Sequence, residues 1–281
     1  MRITRLLMVA LAAIGLVATV PATAQAATPI YYLALGDSLA AGFQPGGDTT
    51  AGYAYDVYNH LHATHPNLQL INLGCDGETT TSMITGPCPH TPVTPYTTGT
   101  QLGDAVKYLQ LYGSAVKYLT IDIGANDVDG CLPGGQPDVA CLLAGAQTIT
   151  TNLNVIMSTL KRAGGGKLPQ HSAGMTYYDP FLAAWLTGPQ GQAVAAATVP
   201  LAAGINLDES TIYTGYGVKI ADVFTTYKTL SFAPTHNTPP YGQLPVNVSR
   251  ICTWTWMCSQ SNIHPNDTGY LQIAKTFEAR L

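Results

Sequence analysis

The chain has 281 residues, with 12 Lys and Arg against 16 Asp and Glu and a formal charge of −4. Charged residues make up only 10% and hydrophobic ones 46%, which excludes a highly charged disordered chain. The acidic balance disfavours nucleic acid and anionic membrane surfaces as partners.

Residues 1–26 read as a secretory signal peptide. Arg2 and Arg5 give a positive start, Leu6 to Val20 is apolar, Pro21 breaks the run, and Ala24-Gln25-Ala26 offers small residues for cleavage. The run falls short of the about 20 residues that a spanning helix needs. Cleavage after Ala26 would leave about 255 residues, expected as one domain over 27–281, with a formal charge of about −6 once Arg2 and Arg5 are lost. No later segment reads as long and apolar enough to span a membrane.

Apolar runs then alternate with helical patterns. Strands are expected at 31–35, 68–73, 118–123, 175–178 and 218–225. Helices are expected at 51–64, at 100–112 and from about 140 to 163, where Gly164-Gly165-Gly166 ends the run. An Ala-rich helix from Gln192 should be interrupted near Pro200, and a last helix should start with Pro265 in its first turn. Between Tyr227 and Ile263 the pattern reads as one long loop. This alternation implies a mostly parallel five-stranded sheet covered on both faces, an α/β/α sandwich. Ligands bind such sheets outside the carboxyl ends of the strands, and here those ends carry Ser38, Gly77 and Asn126.

All six cysteines follow the signal segment, and an even count in an exported chain reads as disulfides. Fifteen connectivities are possible. The sequential pairs Cys75–Cys88, Cys131–Cys141 and Cys252–Cys258 are expected, because the cysteines fall into three local groups. No Cys-x-x-Cys occurs, so neither zinc nor any other metal is expected.

Four blocks stand out. They are Leu35-Gly36-Asp37-Ser38-Leu39, Asn72-Leu73-Gly74-Cys75-Asp76-Gly77-Glu78-Thr79-Thr80, Ile123-Gly124-Ala125-Asn126-Asp127 and Ile263-His264-Pro265. In these blocks and their order the chain resembles the SGNH hydrolases of the GDSL lipase/esterase family, near its secreted, disulfide-bridged bacterial esterases. The resemblance implies a flavodoxin-like fold and a carboxylic ester hydrolase. Ser38 would be the nucleophile and His264 the general base. The N–H groups of Ser38 and Gly77 and the side-chain amide of Asn126 would hold the oxyanion. Asp127 would brace its loop, and Gly74 would be structural.

The chain departs from the family where an Asp usually stands three residues before the histidine. That position is Ser261, in a stretch without acids, Ser259-Gln260-Ser261-Asn262-Ile263-His264. The third group must accept a proton from the second ring nitrogen. The backbone carbonyl of Ser261 is expected to do so, with Asp37 or Asp267 as more distant alternatives. His60, His62 and His65 read as a solvated helix face. The elbow Gly-x-Ser-x-Gly, a phosphate loop and a dinucleotide fingerprint are all missing, so no cofactor is expected. The expected partner is a small-molecule or lipid ester, bound by a monomer. Carbohydrate O-acyl esters are the alternative, and a non-catalytic binding module the remote one. Tyr227, Phe232, Tyr241, Trp254 and Trp256, or the loop at 92–100, could wall an acyl pocket, ordinary loop packing being the alternative.

Overall fold

The computed structural model describes residues 27–133 and 136–281. The expected signal segment lies outside the described residues. In chain order the strands are β1 (Ile30–Gly36), a short hairpin of β2 (Phe43–Gln44) and β3 (Gly47–Asp48), then β4 (Leu68–Asn72), β5 (Val116–Asp122), β6 (His171–Met175), β7 (Lys219–Ala221), and a second hairpin of β8 (Thr235–Thr238) and β9 (Gly242–Pro245). The helices are α1 (Ser38–Ala41), α2 (Tyr53–His62), α3 (Thr80–Thr85), α4 (Gln101–Tyr112), α5 (Val139–Ala163), α6 (Pro189–Gly215), α7 (Val223–Thr226), α8 (Val246–Trp254), α9 (Met257–Gln260) and α10 (Asp267–Glu278).

Five strands form one parallel sheet in the order β4-β1-β5-β6-β7. Successive side chains of a strand point to opposite faces, and β1 divides its residues accordingly. Tyr32 and Ala34 pack with Val57 and Leu61 of α2 and with Ile273 and Phe277 of α10. Leu33 and Leu35 pack with Leu102 and Leu109 of α4 and with Leu153, Ile156 and Leu160 of α5. The result is an α/β fold of three layers, in which the order of strands reverses at β1.

Several boundaries differ from the sequence reading. The fourth strand lies at His171–Met175, upstream of the expected 175–178. The fifth stops at Ala221, because Asp222 accepts a bond from Thr225 N and starts α7. The Ala-rich segment is one helix, with Pro200 inside it. Proline removes the bond that the carbonyl of Ala196 would accept, but packing against residues 180–187 and α5 carries the helix through. Pro265 precedes the first turn of α10, and Asn266 is the cap that accepts from Gly269 N at 3.1 Å. The expected long loop contains β8, β9, α8 and α9. Contrary to expectation, α5 has the length and apolarity of a membrane span. Its inner face, from Leu142 to Leu160, is buried, and it packs against α3, α4 and α6.

All three sequential disulfides are present, Cys75–Cys88, Cys131–Cys141 and Cys252–Cys258. The last joins α8 to α9 in the segment that leads to His264.

Candidate active site

The site is assembled from the carboxyl ends of β1, β4, β5 and β6 and from the loop before α10. β1 ends at Gly36, where an added Cβ would lie 2.3 Å from the Asp122 carbonyl, so only glycine lets the two strand ends approach. Asp37 caps α1 by accepting from Leu39 N at 2.9 Å. Ser38 therefore opens the helix, and its N–H belongs to the first turn that the helix leaves unpaired. Gly74 is structural, as expected. A Cβ there would stand 2.5 Å from Ala41 N, and Asn72 Nδ2 donates to the Ala40 carbonyl at 2.7 Å.

The second block is tied to the first through Gln101. Its amide bonds both backbone groups of Gly36, at 2.7 and 2.9 Å, and donates to Glu78 at 3.1 Å. Gly77 holds the turn at φ 72. The third block is anchored as expected: Asp127 accepts from Thr80 N at 2.8 Å and from Thr80 Oγ1 at 2.7 Å. Asn126 donates one amide hydrogen to the Glu78 carbonyl at 2.9 Å. An amide carries two such hydrogens, and the second is left for the cleft that Asn126 lines with Ser38 and His264. Gly77 is not among the residues lining that cleft.

Ser38 Oγ and His264 Nε2 lie 2.8 Å apart across 226 residues of sequence. The Ser261 carbonyl does not meet the ring, a correction to the sequence reading. Ser261 adopts a left-handed turn at φ 52, and the atom facing Nδ1 is the side-chain Oδ1 of Asn262, at 2.7 Å. The same oxygen receives the His264 backbone N–H at 3.0 Å. A backbone nitrogen only donates, so this atom is the amide's oxygen and not its NH₂. Nδ1 must then carry the ring proton, and Nε2 offers its lone pair to Ser38. Burial, with the Phe43 ring 4.5 Å away, pushes the imidazole down to about 4, so it is neutral at pH 7. Neither alternative acid reaches the ring: Asp37 accepts from Tyr177 OH at 2.8 Å and Asp267 from Gln44 Nε2 at 2.6 Å.

Tyr177 and Tyr178 were missed by the sequence reading. Tyr177 holds Asp37, beside Ser38, and Tyr178 OH donates to the Ile263 carbonyl at 2.6 Å, beside His264. Two adjacent residues thus brace both halves of the pair. The cleft of about 120 Å³ extends from this point. Val128, Leu132, Leu142, Phe181, Leu201 and Ile205 make it apolar. None of the five aromatics between Tyr227 and Trp256 lines it, nor does the 92–100 loop. Tyr227 stacks on Tyr178 and Phe232 packs on Trp185, while Thr97 and Thr98 bind Asp104. Among the described residues, one His/Cys/Asp/Glu group has metal-like spacing, Cys75, Glu78 and Cys88, and its sulfurs are joined in a disulfide.

Glu209 also lines the cleft. It is fully buried and neither carboxyl oxygen has a hydrogen-bond partner. Burial first, then the charge of Asp37, raises it well above the usual carboxylate range. A raised acid contributes stability that is complete below its unfolded value and is lost as pH rises through the folded one. Glu209→Gln is therefore expected to unfold at the same temperature as wild type near pH 4 and at a higher one at pH 8 and above. Thermal melts across that range check it, and a gap that is equal at both ends would contradict it.

The geometry defines an α/β protein with the Ser38 hydroxyl 2.8 Å from a ring nitrogen of His264 at the head of an apolar cleft. Residues 34–271 match the model of the GDSL-like lipase/acylhydrolase family, so the chain belongs to that family and is a carboxylic ester hydrolase. A lipase from a goat rumen metagenome has a TM-score of 0.57 at 16% identity, with 89% of this chain and 97% of that one covered. An acetylxylan esterase from Geobacillus stearothermophilus has a TM-score of 0.51 at 15% identity, covering 90% and 94%. At such identities the likeness shows the fold. Comparison with curated protein sequences finds no match.

Proposed function

We propose that the protein is a secreted serine ester hydrolase, acting as a monomer on acyl or lipid esters through an acyl-serine intermediate. The observation that carries this reading is Ser38 Oγ 2.8 Å from Nε2 of His264, whose other ring nitrogen faces the Asn262 side-chain oxygen. Ser38 Oγ attacks the ester carbonyl carbon while its proton passes to Nε2. The oxyanion accepts hydrogen bonds from the Ser38 N–H and Asn126 Nδ2, both in the cleft lining, and the Gly77 N–H, outside that lining, is the third donor that the family pattern implies. Collapse breaks the bond to the alcohol, which leaves with the proton from Nε2. Water, deprotonated by His264, then releases the acid and restores Ser38. Three disulfides support an oxidising destination. The pair and its cleft are completed within one chain, so the proposed reaction needs no residue from a second copy.

A fluorophosphonate probe tests the reading. It should label Ser38 in the wild type and leave Ser38→Ala unlabelled, with the adduct located by peptide mass spectrometry. A folded wild type that takes no label, or takes it elsewhere, overturns it. The apolar lining favours acyl chains. Ala202→Phe, within that lining, is expected to lower kcat/KM for decanoyl esters about tenfold or more while acetyl esters change less than threefold, since a methylene in an apolar pocket is worth about 1–3 kcal/mol. A nitrophenyl ester series measures this. The likeness to an acetylxylan esterase keeps a carbohydrate O-acetyl esterase as the second reading, and acetylated xylan in the same panel separates the two.

A further inference from the structure

We propose that Asn262 is the positioning residue of the catalytic pair, a neutral amide that fixes the proton on Nδ1 of His264 where the family pattern would have a carboxylate. The inference rests on the Ser38–His264 reading above. One oxygen, Asn262 Oδ1, accepts from two N–H groups of the same residue, the His264 backbone at 3.0 Å and Nδ1 at 2.7 Å. The first bond closes a local turn in which an Asn side chain holds the backbone two residues on. It places the oxygen, and the second bond uses that placement to set the ring's plane and tautomer. The backbone is held on either side. Trp256 N donates to the His264 carbonyl at 2.9 Å, and Tyr178 OH holds Ile263.

An amide oxygen does half the work of a carboxylate. It fixes the tautomer, but it brings no net negative charge to the imidazolium that forms during turnover. Among the described residues no carboxylate takes the amide's place at Nδ1. Asp37 is engaged by Leu39 N and Tyr177 OH, and Asp179 by Thr198 Oγ1 and Phe181 N. Asp267 is held by Gln44, and Glu209 stands elsewhere in the cleft wall. On its remaining side the ring meets Phe43. The histidine thus stays neutral far into acid, and an ester hydrolase built this way keeps its base available where a carboxylate-supported one would already be protonated.

Two variants separate positioning from mere support of the fold. Asn262→Ala leaves Nδ1–H without its partner, and kcat should fall about 10²-fold, the low end of what a positioned general base contributes, with KM changed less than threefold. Asn262→Asp keeps the shape and adds the missing charge. Its acid limb in kcat/KM against pH should move up by about one unit or more, with activity at pH 8 within tenfold of wild type. A residue that only held the loop would leave the limb in place. A downfield Nδ1 proton resonance of His264 is expected in wild type at pH 7 and should vanish in Asn262→Ala. Asn262→Ala within threefold of wild type, or an Asn262→Asp limb that coincides with wild type's, overturns the proposal. If Asn262→Ala does not fold, the Asp variant decides alone. Wild type that labels at Ser38 while the limb stays unmoved sinks this inference only, whereas wild type that fails to label sinks the underlying reading and this one with it.

Discussion

Ser38→Ala and His264→Ala are each expected to lower kcat on nitrophenyl acetate by about 10⁴-fold or more, and the double variant to lose no more than either single one. On the proposed reading the two groups act as a unit. Without the hydroxyl there is no acyl acceptor, and without Nε2 the hydroxyl keeps its proton at neutral pH. Both side chains lie within the cleft wall and carry no large share of the core, since Ser38 loses one oxygen and His264 a ring held by Phe43 and Asn262. Folded variants are therefore expected, and circular dichroism with thermal melts will show whether the loss is chemical. Additive losses in the double variant, or a single variant with a tenth of wild-type turnover, would mean that hydroxyl and imidazole do not serve one step.

Asn126→Ala is expected to lower kcat by about 10²–10³-fold, the usual cost of removing one oxyanion donor. KM should change far less, because the donor acts on charge that develops only in the transition state. The substitution also frees the Glu78 carbonyl, which loses its 2.9 Å bond. Asp127 with its two bonds to Thr80 still holds the loop, so the fold should survive. Steady-state kinetics on the purified variant measure the effect, and turnover within threefold of wild type would remove Asn126 from the oxyanion site.

Much of this arrangement was legible in the sequence. The strands β1 and β5 are buried on both faces and, with the edge strand β4, read as short apolar runs, each followed by a motif. Of the residues that meet in space, Ser38 and Asn126 come from those motifs and His264 from the one before α10. The misses have physical causes. The β6 segment His171-Ser172-Ala173-Gly174-Met175 has little apolar bulk, because Gly174 must pass under the Tyr213 ring, 2.6 Å from where a Cβ would stand. The run that looked like the strand, ending in Tyr177 and Tyr178, uses its phenols as braces. Distance from the histidine in sequence points to Ser261, but its left-handed turn gives the contact to the next residue. An Asn two residues before the histidine was the available signal, since that spacing suits an Asn side chain that bonds the backbone ahead. The aromatics from Tyr227 to Trp256 misled because a loop was expected where helices and a hairpin pack against the core. Apolar lining of the cleft comes instead from several separated elements, Leu201 and Ile205 of α6, Leu142 of α5, Phe181, and Val128 and Leu132 after β5, which residue types alone do not bring together.

The Tyr177–Tyr178 pair divides the cleft mechanically. One wall, the segment after β6 with α6, is fastened to the loops of both reacting groups. The other, around Val128 and Leu132, is fastened to neither tyrosine and is closed on itself by Cys131–Cys141. On the proposed reading the two walls divide the chemistry: the first is tied by phenols to the groups that exchange the proton, and the second, held to Thr80 through Asp127, carries the Asn126 amide that meets the oxyanion.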